Sequence, residues 1–212
     1  MTFLKSIFNK ESTKPKKDIM VILDNGHGSN TPGKRSPKWK DGSQLFEYEF
    51  NRNIVERISK GLQKKGIRYH ILVPEEFDVS LSERVYRANK LYKENRNKCF
   101  LVSIHANAGG GTGFEVWTSV GTTKSDNIAT IVWNEMKIEF PQQKMRLDTT
   151  DNDVDKESNF TILYKTNCPA ILTENFFMDT EKDCRLIMSN TGRQKIANAH
   201  VRAIQKVIDT LY

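Results

Sequence analysis

The sequence predicts a single α/β domain built on a mainly parallel sheet. Short, continuous apolar runs of the kind that form buried strands alternate along the chain with longer segments in which apolar residues recur at helical spacing. This alternation favours parallel strands joined by helical crossovers. The 212 residues suffice for one domain with a substantial core, and no internal repeat divides them.

The predicted strands are the short runs that are apolar at nearly every position. The first is closed by Asp24, Asn25 and Gly26, a typical turn sequence. An uninterrupted apolar run indicates a strand that is buried on both faces of a sheet. We expect strands at 18–23, 69–73, 100–104, 114–117 and 170–173.

The predicted helices have recognisable ends as well as apolar periodicity. Gly66 follows the first helical run and is typical of a helix C-terminus. Ser80 and Glu83 form a capping-box pattern at the start of the second. We expect helices at 50–65, 81–91, 125–139 and 196–211.

Two long segments are expected to be loops. Residues 28–43 are rich in Gly, Ser, Pro and Lys, and residues 141–159 are mostly polar. A loop as long as 28–43 in a small domain is usually functional.

The N-terminal segment 1–17 is expected to be a flexible basic tail, followed by the catalytic domain at 18–212. The tail holds five lysines and one glutamate, and therefore carries +4 of the formal net charge of +7. The remaining domain is only mildly basic, which argues against a nucleic-acid partner. We expect a monomer.

Hydropathy argues against stable membrane insertion. No apolar run approaches the roughly 20 residues that span a bilayer. The first residues also lack the apolar core of a secretory signal. We therefore expect synthesis in the cytoplasm without a Sec signal.

Ionisable residues follow three of the predicted strands. His27 comes directly after the first strand, His105 after the strand at 100–104, and Glu174 after the strand at 170–173. Ligands of open α/β sheets bind beyond the carboxyl ends of the strands, so these three residues should meet at one edge. Glu47, just before the first predicted helix, can face the same edge.

Two imidazoles and one carboxylate are a common ligand set for catalytic zinc, with the fourth position left for water. A second carboxylate that does not bind the metal can then accept the proton of that water. Considered singly, each of these residues has an ordinary structural explanation. Their joint placement indicates a metal-dependent hydrolase.

The sequence resembles the zinc-dependent N-acetylmuramoyl-L-alanine amidases of the type 3 family, including those of phages and prophages. The resemblance extends from about Asp18 to the C-terminus. It rests on Asn-Gly-His-Gly at 25–28, Glu47 four residues before Asn51, Ser-Ile-His-Ala-Asn at 103–107, and Glu174 after Pro-Ala-Ile-Leu-Thr at 169–173.

The resemblance implies that His27, Glu47 and His105 bind Zn²⁺ and that Glu174 is the catalytic acid/base. It also implies a twisted, mainly parallel or mixed sheet of about six strands flanked by helices. The substrate would be peptidoglycan, cut between N-acetylmuramic acid and L-alanine, and a role as an endolysin that reaches the wall after release would follow.

The chain departs from the family pattern beside two of these residues. The loop after Gly28 contains Lys34 and Arg35, and Glu174 is followed by Asn-Phe-Phe rather than by a residue and Gly-Phe. Lys34 and Arg35 can meet carboxylates of the substrate, or they can be ordinary solvated charges. If Glu174 is not the proton acceptor, Glu49 and Glu115 are the next candidates.

Three other functions remain open at this point. A zinc carboxypeptidase or endopeptidase acting on the peptide stem would use the same ligands. A cysteine hydrolase would pair Cys168 with a histidine. A non-catalytic binder of nucleic acid or wall polymer would leave the four aligned ionisable residues unexplained.

Overall fold

The computed structural model describes residues 18–150 and 153–212, and the predicted tail at 1–17 lies outside them. The strands are β1 (Met20–Asn25), β2 (Arg68–Ile71), β3 (Cys99–Asn107), β4 (Phe114–Thr118), β5 (Lys156–Glu157) and β6 (Ala170–Phe177). The helices are α1 (Glu47–Lys65), α2 (Leu81–Glu94), α3 (Lys124–Glu139), α4 (Thr161–Tyr164), α5 (Glu181–Met188) and α6 (Asn190–Leu211).

The strands form one mixed sheet in the order β2-β1-β3-β6-β4-β5. β2, β1, β3 and β6 are parallel, whereas β4 runs antiparallel to β6 and parallel to β5. The carboxyl ends of β1, β3 and β6 therefore lie at one edge. The predicted α/β fold with about six strands is confirmed.

Two strand ends were predicted too early. His105 and Glu174 do not follow their strands but lie within β3 and β6, opposite each other in the parallel register. The strands continue because their backbones remain paired, and Glu174 also lies opposite Glu115 of β4. Polar side chains thus interrupt the apolar pattern without ending the ladder.

Other elements also differ from the prediction. Helix α1 begins at Glu47 itself, three residues before its first apolar position. The predicted loop at 141–159 contains β5, and the short helices α4 and α5 were not predicted. All three are too short to show a clear period in the sequence.

Helix α1 is fixed at both ends, which positions Glu47. Its apolar positions form one buried stripe, including Phe50, Ile54 and Ile58. Gly66 ends the helix in the left-handed conformation, with φ of 64°, and its amide bonds back to the last turn. Burial of each large apolar side chain contributes about 1.5–3 kcal/mol. The first turn of α1 is thereby held against the sheet edge.

The two faces of the sheet are packed differently. One face is covered by α1, α3, α5 and α6, which pack on inward side chains such as Val21, Val102 and Ile171. The other carries a smaller apolar cluster, formed by Ile22 and Leu101 with residues of α2 and α4. No helix of the described ranges is long and apolar enough to cross a membrane.

Candidate active site

His27, Glu47 and His105 lie together at the carboxyl edge of the sheet. The Nε2 atom of His27 is 3.3 Å from Glu47 Oε1, and the Nδ1 atom of His105 is 3.1 Å from the same oxygen. One potential ligand atom from each residue lies within 4.8 Å of the other two. The two rings meet edge to face, with centroids 4.9 Å apart. The group has the composition and size of a site for one metal ion.

The backbone beside His27 allows this close approach. A Cβ atom on Gly26 would lie 2.0 Å from Cε1 of His105, so the ring can occupy this place only beside a glycine. His27 itself has a left-handed backbone, with φ of 62°, which is unfavourable for a residue with a side chain. Its carbonyl accepts hydrogen bonds from Arg52 (3.0 Å) and Arg84 (3.3 Å). Two guanidinium groups thus hold the strained residue.

Glu47 is almost fully buried, and its two oxygens differ. Oε1 contacts both imidazoles and accepts from the amide of Ala106 at 3.3 Å, whereas Oε2 is buried and has no hydrogen-bond partner in the described chain. Burial alone would raise the pKa of Glu47, but hydrogen bonds with His105 and His27 outweigh it and hold the pKa well below its usual range. An ionised carboxylate with a free buried oxygen suits a bound cation.

Glu174 faces His105 from the neighbouring strand. Its Oε2 atom is also buried without a hydrogen-bond partner among the described residues. The pKa of Glu174 is raised to about 8, chiefly by loss of solvent; the charges of Glu47 and Glu115 also raise it, whereas His105 and Lys34 act in the opposite direction. A carboxyl group with this pKa can both accept and donate a proton near neutral pH.

Glu115 and Glu49 are poorer candidates for proton transfer. Glu115 is buried and accepts hydrogen bonds from Asn107, Trp117, Lys156 and Arg146. Burial would raise the pKa of Glu115, but the two cations hold it below the usual value. Its oxygens are therefore occupied.

Glu49, on the exposed side of α1, accepts a hydrogen bond from the neighbouring Tyr48 hydroxyl at 3.0 Å. Of the three candidates for the proton acceptor, Glu174, Glu115 and Glu49, only Glu174 therefore places a free oxygen beside the histidines.

A buried ion pair supports the loop that carries His27. Arg84 donates to Asp24 at 2.7 Å and to the Asn25 carbonyl at 2.9 Å, and it also pairs with Asp78. Ser103 donates to the second oxygen of Asp24. Arg84 and its partner Asp24 are 60 residues apart in the chain, so the pair could not be recognised from spacing.

Cys168 lies away from this edge. It is buried next to Cys99, which begins β3, whereas His105 is six residues further along that strand. At about 3.3 Å per residue this places the thiols roughly 20 Å from the histidine. The hydrogen bond with Cys99 and burial raise the pKa of the Cys168 thiol far above its ordinary value. The geometry gives the cysteine hydrolase no catalytic pair.

The four residues singled out from the sequence are thus neighbours. An α/β domain with two imidazoles and a carboxylate at the carboxyl edge of its sheet, and a second carboxylate beside them, has the layout of a metal-dependent hydrolase. The family description "N-acetylmuramoyl-L-alanine amidase" matches residues 21–206, and the chain therefore belongs to this family.

Individual relatives agree with this assignment. The sporulation-specific N-acetylmuramoyl-L-alanine amidase of Bacillus subtilis is 28% identical over 195 residues, which are 90% of this chain and 69% of that protein. The endolysin of Bacillus phage SPP1 is 27% identical over 204 residues, 90% of this chain and 66% of that protein. The chain thus spans about two thirds of each relative's length.

A solved structure shares the architecture. The N-acetylmuramoyl-L-alanine amidase of Clostridium difficile 630 superimposes with a TM-score of 0.76 at 27% sequence identity, covering 91% of this chain and 97% of that one. The agreement therefore extends over nearly the whole described domain.

Proposed function

We propose that His27, Glu47 and His105 bind Zn²⁺ and that Glu174 is the catalytic acid/base of the reaction. As a member of the amidase family, the enzyme hydrolyses the amide bond between N-acetylmuramic acid and L-alanine in peptidoglycan. Residues 18–212 would form the catalytic domain, with 1–17 as a basic tail. The enzyme would act on the cell wall, as a monomer and without a nucleic-acid partner.

One observation carries the assignment of the metal and the acid/base. Glu47, which contacts both histidines, and Glu174, opposite His105 in the sheet, each have a buried Oε2 atom without a hydrogen-bond partner in the described chain. A buried carboxylate oxygen without a partner is costly unless a ligand or a proton occupies it. A cation against Glu47 and a proton on Glu174 would satisfy both oxygens.

Each residue of the proposed site has a separate role. Zinc held by this set supplies Lewis acidity, which makes water a stronger acid and polarises the scissile carbonyl. Glu174 accepts the proton of the attacking water and transfers it to the departing nitrogen of L-alanine. Arg52 and Arg84 hold the backbone of His27, so that its imidazole keeps its orientation.

The bond that is cut tests this function. Purified peptidoglycan is digested with and without a chelator, and the released termini are identified. The proposal predicts new amino termini of L-alanine with the glycan chain intact, loss of activity with chelator, and recovery on adding Zn²⁺. Termini within the peptide stem would instead identify a carboxypeptidase or endopeptidase. Full activity after metal removal would contradict the metal assignment.

A further inference from the structure

The loop that follows His27 carries two cationic side chains without partners. Within 18–150 and 153–212, every arginine except Arg35 and Arg96 donates a side-chain hydrogen bond. The neighbouring Lys34 is exposed, and its side chain makes no hydrogen bond or ion pair within the same ranges. Charges left unpaired beside a reaction site are available to a ligand.

The loop holds these residues in a defined place. The hydroxyl of Thr31 accepts from the amide of Gly28 (2.9 Å) and donates to Asp78 (2.8 Å). The carbonyl of Lys34 accepts a hydrogen bond from the amide of Glu47 at 3.0 Å. The backbone of Arg35 forms an isolated antiparallel β-bridge with that of Phe46. The backbone of Lys34 is therefore bonded directly to that of a residue in the proposed metal site.

A hollow beside the loop offers room for a ligand. It has a volume of about 270 Å³ and is lined by residues 29–35 together with Phe46 and Tyr48. Tyr48 directly follows Glu47 on α1. The ammonium group of Lys34 is also close enough to act on the charge of Glu174. Both cations thus border the hollow, and Lys34 also acts on Glu174.

The proposed substrate carries a carboxylate close to the bond that is cut. In peptidoglycan the residue after L-alanine is D-glutamate joined through its γ-carboxyl group, which leaves its α-carboxyl group either free or amidated. This group lies one residue beyond the scissile bond, a span of about 3.5 Å per residue. The separation suits a cation adjacent to the metal ligands.

We propose that Lys34 and Arg35 form a subsite for the free α-carboxylate of this second stem residue, so that the enzyme prefers the acid over the amidated form. The inference rests on the proposed amidase function. Lysine supplies a point charge and arginine a planar fork that matches a carboxylate. Because the subsite is exposed, we expect a preference of about tenfold.

Two synthetic muramoyl peptides test the proposal. They are identical except that the α-carboxyl group of the second residue is free in one and a primary amide in the other. The wild-type enzyme should show about tenfold higher kcat/KM for the acid, through a lower KM. The double variant Lys34→Met with Arg35→Met should lose the preference and cleave the acid and the amide with equal kcat/KM.

A second double variant controls for the loss of charge. Lys38→Met with Lys40→Met removes two exposed lysines of the same loop and should keep the full preference. Added salt should raise KM for the acid in the wild type but not in the Lys34 and Arg35 double variant.

The outcomes separate the two proposals. Equal cleavage of both peptides by the wild type, or a preference that survives loss of Lys34 and Arg35, would overturn the subsite while leaving the amidase function intact. Loss of the preference in both double variants would likewise overturn it. Absence of cleavage between the muramoyl group and L-alanine would overturn the proposed function, and the subsite with it.

Discussion

Two neighbouring residues of β6 point to opposite faces of the sheet and have different surroundings. On β6, Thr173 points to the face covered by four helices and contacts the ring of His200, while Glu174 points to the other face, beside His105. His200 is fully buried with both ring nitrogens hydrogen bonded, to Ile196 and Thr173.

The carboxylates beside His27 and His105 have the opposite character, because the Oε2 atoms of Glu47 and Glu174 are buried without a hydrogen-bond partner in the described chain. The ring of His200 is thus satisfied within the protein, whereas the two carboxylates each leave an oxygen for a ligand or a proton. The comparison teaches that burial alone does not identify the role of a histidine, and that the groups its ring nitrogens contact must be known as well.

The largest expected change in stability concerns the ion pair of Arg84 and Asp24, which supports the loop that carries His27. Arg84→Met leaves Asp24 buried without its cation and should lower the free energy of unfolding by about 3–5 kcal/mol in urea denaturation. Arg87→Met, which breaks half-buried pairs with Glu75 and Glu83, should cost about 1 kcal/mol or less. Equal losses of unfolding free energy in the two variants would show that the buried pair with Asp24 contributes no more than the half-buried pairs of Arg87.

The next prediction concerns how stability depends on pH through the buried His200. Burial lowers the pKa of His200 from the ordinary 6.5 to about 4, so the folded protein keeps this imidazole neutral. Below pH 6.5 the unfolded chain takes up the proton first, and stability should fall by roughly 3 kcal/mol between pH 6.5 and 4.

His200→Gln should flatten that part of the stability profile measured by denaturant unfolding at a series of pH values. If the free energy of unfolding of the variant depends on pH as in the wild type, another group titrates in this range and His200 is not kept neutral by its burial.

A smaller effect should appear in metal binding. Arg52→Met removes one of the two guanidinium groups that hold the His27 carbonyl, together with the bonds of Arg52 to Glu75. Affinity for Zn²⁺, measured by competition with a chelator of known strength, should fall about 10–100-fold.

Arg57→Met is the matched control, since Arg57 lies on the same helix but bonds to Gln194 and Asn190, away from His27. Its affinity for Zn²⁺ should be unchanged. A comparable loss in both variants would point to general damage to α1 rather than to the support of His27.

The sequence predicted those features that depend on local pattern. Apolar runs located β1 and the core of β3, and helical spacing with Gly66 located α1. The position of His27 after a strand followed from the same pattern. The convergence of His105 and Glu174 was also expected, because parallel strands bring their carboxyl ends together.

The features that were missed depend on tertiary contacts. The antiparallel pairing of β4 with β6, which places Glu115 opposite Glu174, has no signal in either strand alone. The pair of Asp24 and Arg84 joins distant segments, and the two residues of β5 form a strand only because β4 lies beside them. The extension of β3 past His105 likewise depends on its neighbours.

The most direct test of the account measures bound zinc and turnover on peptidoglycan in the same preparations. Glu174→Gln should keep about one Zn²⁺ per chain while turnover falls about 10²–10⁴-fold, the usual contribution of general acid–base catalysis. His105→Ala should lose zinc and activity together. Loss of zinc from the Glu174→Gln variant would make Glu174 a ligand, and near-full activity with zinc retained would place the proton acceptor elsewhere; either result would contradict the account.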